Sequence, residues 1–158
     1  MNATWFRGTA DAFVANGRAA FGAPVPAVLR MLGGISVDVR GERAVSQAKM
    51  TISARASVHG TACEVTCWGR FYDFWQKTTG VWKLAERAVI HERDRLDALD
   101  GAPFPALDAA VLEALPPGYR LLAYVQQANG ANVIDGLPGL TGTAVAALYA
   151  SGRTWLGT

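Results

Sequence analysis

Histidine is the scarcest reactive group in this sequence. Two are present, His59 and His91. Imidazole is the usual side chain that titrates near neutrality, so general acid–base chemistry has few places to reside. Cysteine is equally sparse, with Cys63 and Cys67 the two. On an extended strand their Cα atoms lie roughly 13 Å apart at about 3.3 Å per residue, too far for a disulfide. Buried free thiols are the expectation, and a cytoplasmic location follows from them. Zinc takes four ligands, and these two sulfurs have no histidine at matching spacing, so no metal and no cofactor is expected.

Long apolar runs are missing too. None reaches the roughly 20 residues that span a bilayer, so no membrane partner is expected. The opening segment MNATWFRGTADAF has no basic stretch ahead of an apolar one and does not read as a signal peptide. Charge of one sign is also lacking: 15 basic and 13 acidic residues leave +2. So small an excess, without clustered Lys and Arg, gives no nucleic-acid footprint. No glycine-rich loop follows a strand and opens a helix, which leaves nucleotide binding without support.

What is present is apolar mass. Hydrophobic residues make up 51% and charged residues 18% of 158 residues, enough for one domain with a real core. Residues 4–22 read mainly as one helix capped by Thr9, with Phe6, Ala10, Phe13, Gly17 and Phe21 as an aromatic stripe. The stripe is core packing, or Trp5 and Phe6 line a ligand site. Residues 27–94 read as a meander of four strands. Ile35, Val37 and Val39 alternate with polar residues up to the Gly41-Glu42 turn. The even positions Ala44 to Ala54 then alternate with Val45 to Arg55. The third strand, about 61–76, and the fourth, about 81–93, are apolar on both faces and so are covered on both faces. On the fourth, Trp82, Leu84, Ala88 and Ile90 are placed on one side, with Ala85, Arg87 and Val89 on the other. A linker over 95–105 leads to helices over 106–115, about 119–129, and from Thr141 or Thr143, as cap, to about 153.

The stretch GRFYDFWQKTTGVWKLAERAVIHERDRLD, residues 69–97, resembles the SnoaL-like branch of the nuclear transport factor 2-like superfamily. Gly69, Arg70, Phe71 and Asp73 on one strand, then Gly80, Trp82, Lys83, Leu84 and Arg87, carry the likeness. The upstream run GGISVDVRGERAVSQAKMTI resembles the preceding hairpin. The resemblance implies an α+β fold: a curved antiparallel sheet of about four strands wrapped around helices as a cone, enclosing an apolar pocket and often dimeric. Residues 1–97 would form the cone and 98–158 a C-terminal helical extension packed on the same domain. The resemblance also implies two further helices ahead of residues 4–22 and an Asp–His dyad, neither of which is found. Arg30 stands where the dyad's histidine is expected, and an Arg is no base at neutral pH. Either this is a shortened form of the cone or the C-terminal helices over 106–153 close it instead; the second is expected, because their apolar stripes must be buried somewhere.

The same resemblance implies lyase or isomerase chemistry on an apolar cyclic or aromatic molecule. Arg87 would stabilise an anion, or else serve as a structural partner of Asp73 or Glu86. Asp73 or His91 would transfer a proton. His91 lies four residues beyond Arg87 on the same strand face, roughly 13 Å away at 3.3 Å per residue, near the cone's mouth or edge. Arg30 would anchor a carboxylate or phenolate, or sit in a salt bridge. Phe71, Trp75 and Val89 would line the pocket. Asp73 and Tyr72 point to opposite faces, and the face with Phe71, Asp73, Val65, Cys67 and Trp75 is taken as the pocket side. His59 is read as an exposed turn residue, and the charged run Glu92 to Arg95 as a solvated strand end. A non-catalytic binding module, or a structural dimer joined through the sheet, fits the same residues.

Overall fold

The computed structural model describes residues 1–20 and 28–157. Two short strands, β1 (Asn2–Ala3) and β2 (Phe6–Arg7), precede α1 (Ala10–Ala20). The expected helix over 4–22 therefore begins later. β1 instead joins the edge of the sheet, and Gly8 N–H is donated to the Met1 carbonyl at 3.2 Å, closing a hairpin in place of a first helical turn. Thr9 does cap α1, its hydroxyl accepting from Ala12 N–H at 3.2 Å. Phe6 and Phe13 of the stripe meet at 5.3 Å between ring centres. Phe21 lies outside the described residues.

Four long strands then run as an antiparallel meander: β3 (Val28–Arg40), β4 (Arg43–Val58), β5 (Thr61–Thr78) and β6 (Val81–Ala98). The sheet order is β2-β1-β6-β5-β4-β3. Three irregularities shape it, at Leu32/Ile35 in β3 and opposite Trp68/Gly69 and Phe74/Trp75 in β6. Each extra residue reverses the side-chain alternation and bends the strand. The extra residue at Ala85 corrects the expected faces of β6. Trp82 and Leu84 pair in register with Lys77 and Trp75, so they share a face with Arg87, Val89 and His91, while Ala88 and Ile90 look the other way. β6 also continues to Ala98, shortening the expected linker. Leu96 stays buried and inward while Arg95 and Asp97 pair outside at 2.8 Å.

The remaining helices are α2 (Ala109–Ala114), α3 (Arg120–Ala128) and α4 (Thr143–Leu156), with a 3-10 turn at Pro117–Tyr119. They do not act together to close one side. α2 and α3 pack on the inner face over Val58, Cys63, Val65, Cys67 and Leu96. α4 packs on the outer face over Val45, Tyr72, Phe74 and Ile90. The strands that read as apolar on both faces are thus covered on both, by different helices. Gly142, not a threonine, precedes α4, and no side chain caps it.

The inner face is covered at one end only. Beyond the α3 layer, Leu32, Ile35, Val37 and Val39 of β3 stand more than half exposed, with Trp82 and Leu84 of β6 exposed across from them.

Candidate functional site

All seven residues singled out in the sequence lie on the inner face. Register rows run Ile35–Ala48–Phe71–Val89, Val37–Ser46–Asp73–Arg87 and Val39–Ala44–Trp75–Leu84, and Arg30 and His91 fall on neighbouring rows through Ile52 and Gly69. The structure divides them between two hollows on that face.

The first hollow is a cavity of about 570 Å³ between the sheet, α3 and the β1 turn. Met50, Ile52, Val65 and Val89 form its sheet wall, and Leu122 and Val125 of α3 face them. Arg30, His91 and Val89 of the seven are here. Trp5 lines the rim and is 40% exposed. A volume in this range, with an apolar wall and few polar groups, is that of a small-molecule site. Gln126 of α3 and Asn129, which caps its C-terminal end, add polar groups that the sequence did not point to. The apolar stripe of α3 was visible in the sequence, but nothing there said which face of the sheet it would meet.

His91 does not sit at the mouth or edge. It is 3% exposed, with its ring 4.6 Å from that of Tyr119. The His91 backbone N–H is donated to the Pro138 carbonyl at 2.8 Å. Gly118 lies so close that a Cβ there would strike the His91 carbonyl. The segments after α2 and α3 therefore wall in a strand position that β6 alone would leave open. Burial lowers the His91 pKa to about 4, so the ring is neutral near pH 7. Its Nδ1 is enclosed without a hydrogen-bond partner, as is Gln126 Oε1. Buried polar atoms are seldom left so.

The second hollow, of about 280 Å³, lies on the open part of the inner face and holds Phe71, Asp73, Trp75 and Arg87. Arg87 donates through Nε and an Nη to the two oxygens of Asp73, each at 2.7 Å. Its guanidinium also lies 4.1 Å from the Phe71 ring centre. Trp75 Nε1 donates to Ser46 at 2.9 Å.

One further expectation changes. Glu92 to Arg95 is no solvated end: Glu92 binds Lys49 and Arg70 at 2.8 Å each, and Arg93 lies 4.7 Å from the Trp68 ring. Asp94 accepts from Leu122 N–H at 2.8 Å. His59 is an exposed turn residue, as expected, and its Nε2 is 2.8 Å from the Tyr124 hydroxyl. The two thiols are buried and unbridged, and burial with Asp94 nearby pushes Cys67 up to about 12, which leaves it unreactive. Among the described residues no three of His, Cys, Asp and Glu gather as metal ligands, and no helix is long and apolar enough to cross a membrane.

A meander wrapped over helices, with a cavity at the covered end, defines an α+β cone of the nuclear transport factor 2-like kind. The model of the SnoaL-like domain family matches residues 3–88, and the chain belongs to that family. It is 39% identical to pea pathogenicity protein 2 of Fusarium vanettenii over 106 residues, 65% of this chain and 45% of that protein. A PEP2-like protein of the same fungus is 35% identical over 115 residues, covering 71% and 49%. An uncharacterised Aspergillus terreus protein is 36% identical over 118 residues, covering 65% and 44%. The chain spans about half the length of the curated relatives it matches.

Proposed function

We propose that this protein binds a small, largely apolar, cyclic or aromatic molecule in the cavity between the sheet and α3. The observation that carries the reading is the cavity itself: about 570 Å³, walled by aliphatic side chains from two layers, with His91 set into its wall. Amide spectra titrated with phenylnaphthylamine, a neutral apolar probe, test it. Shifts concentrated at Met50, Ile52, Val65, Val89, Leu122 and Val125 are expected, whereas shifts confined to α4 would overturn the reading.

A lyase or isomerase is the second reading, favoured by His91, a neutral imidazole in the cavity wall. Asp73 and Arg87 hold each other at 2.7 Å and line the other hollow, which favours binding over turnover. Retained ligand binding with lost turnover in His91→Gln would select the enzyme. A homodimer joined through the sheet is part of the same proposal, supported by the open apolar end of the inner face. Ile35→Asp with Val37→Asp should then halve the mass in light scattering, and a monomeric parent would remove the dimer. A cytoplasmic location is supported by the two buried, unbridged thiols.

A further inference from the structure

We infer that the cavity selects an apolar monoanion, an aromatic or alicyclic carboxylate or phenolate, whose charged group is held at Arg30 and whose ring body lies against Met50, Ile52, Val65 and Val89. The inference rests on the binding reading above and adds the charge of the ligand.

The argument begins with the polar groups of the lining. No Asp or Glu of the described residues lines the cavity. Two arginines do, Arg30 and Arg55. Arg55 belongs to the outer-face row of β4 and lies 3.6 Å from Glu64. Arg30 belongs to the inner row, paired with Ile52 and through it with Cys67, both of which line the cavity. Among the described residues Arg30 has no ion pair and no side-chain hydrogen bond. His91, neutral by burial, adds no charge to compete with it.

Position supports the same assignment. Arg30 and His91 stand three strands apart, roughly 14 Å at about 4.8 Å per strand, so they mark opposite sides of the cavity. Arg30 is exposed and keeps its charge in contact with water, while the wall between it and His91 is aliphatic. A molecule that buries a ring against that wall and keeps one anionic group at the rim satisfies both ends without stranding a charge in the core. A dianion has one cation too few, and a cation meets like charge.

The test compares anilinonaphthalene sulfonate, an apolar anion, with phenylnaphthylamine, its neutral counterpart. Fluorescence titrations of the parent protein should favour the anion by about tenfold, the equivalent of about 1.4 kcal/mol. Arg30→Gln should remove the preference and leave the neutral probe bound as before, and Arg30→Lys should restore part of it. Raising the salt should narrow the gap between the probes, since the ion pair lies at the rim. Ala54→Phe, and separately Ala131→Phe at another part of the lining, should displace both probes, with Val37→Ser on the open face as the control that does not.

Equal binding of the two probes in the cavity, or a preference that survives Arg30→Gln, overturns the anion assignment and leaves the cavity reading standing. Binding that ignores both phenylalanine variants and follows Val37→Ser overturns the cavity reading itself.

Discussion

Arg87 closes on Asp73 with two hydrogen bonds of 2.7 Å from neighbouring strands of one sheet. Asp73 is 2% exposed, and both of its carboxylate oxygens accept from Arg87. The pair is therefore a mutual arrangement: either member removed leaves the other's charge in an apolar setting. Arg87→Ala should cost about 2 kcal/mol, less than a fully buried pair because the guanidinium keeps some exposure. The double variant with Asp73→Ala should recover part of that loss in urea unfolding. Additive losses would show that the two side chains act independently.

Gly152 sits where α4 crosses Tyr72, and a Cβ there would run into the tyrosine hydroxyl. Alanine normally stabilises a helix interior by about 1 kcal/mol over glycine. Here the clash outweighs propensity, and Gly152→Ala should destabilise by roughly 1–3 kcal/mol. In a Tyr72→Phe background the penalty should shrink but not vanish, because the ring carbon behind the hydroxyl is still 2.9 Å from that Cβ. Thermal unfolding of the four proteins reads this directly, and a stabilised single variant would contradict the packing.

The four-strand meander was legible because period-two alternation and the Gly41-Glu42 turn are local signals. The motif glycine has a local cause too: a Cβ on Gly69 would strike the Ile90 carbonyl at the β6 irregularity. What was not legible was phase. One extra residue at Ala85 moved Trp82 and Leu84 across the sheet, and no periodicity count detects a single insertion. The helices posed the same difficulty at longer range. Leu122 of α3 and Val145 of α4 both pack against the sheet, yet on opposite faces, a choice made by tertiary contacts. The strand face of His91 follows from local alternation with Arg87 and Val89, but its depth does not, since the residues that enclose it, Gly118, Tyr119 and Pro138, come from later segments.

Asp94 ties β6 to α3 by accepting from Leu122 N–H in the helix's first turn, a cap supplied from another element. Burial raises its pKa while the backbone donors of Leu122 and Leu121 act to lower it. Asp94→Ala should lose about 1–2 kcal/mol, the usual worth of an N-terminal cap. Asp94→Asn keeps an acceptor and gives up a half-buried charge, so it should lose clearly less. Equal losses in urea titrations would mean that the charge, not the hydrogen bond, secures α3.

His91 makes stability depend on pH in a window set by its burial. Its pKa in the folded chain is about 4, against an ordinary 6.5. Between those values the unfolded chain binds a proton at this residue and the folded chain does not. Stability therefore rises with pH across the window, and protonation of the unfolded state drains it as pH falls. A gap of this size corresponds to roughly 3 kcal/mol by the end of the window. Asp94 works in the opposite sense: its raised pKa lets the folded chain hold a proton longer, so its contribution declines as pH rises above the ordinary carboxylate value of 3.8. The parent's pH profile sums the two, and the difference between parent and variant isolates His91. His91→Phe retains a ring against Tyr119 and removes the titration, so its unfolding free energy should be flatter between pH 6.5 and 4 and should exceed the parent's most at the acid end. Parallel profiles for the parent and His91→Phe would mean that the ring protonates freely in the folded chain, and that the enclosure by Gly118, Tyr119 and Pro138 does not hold in solution.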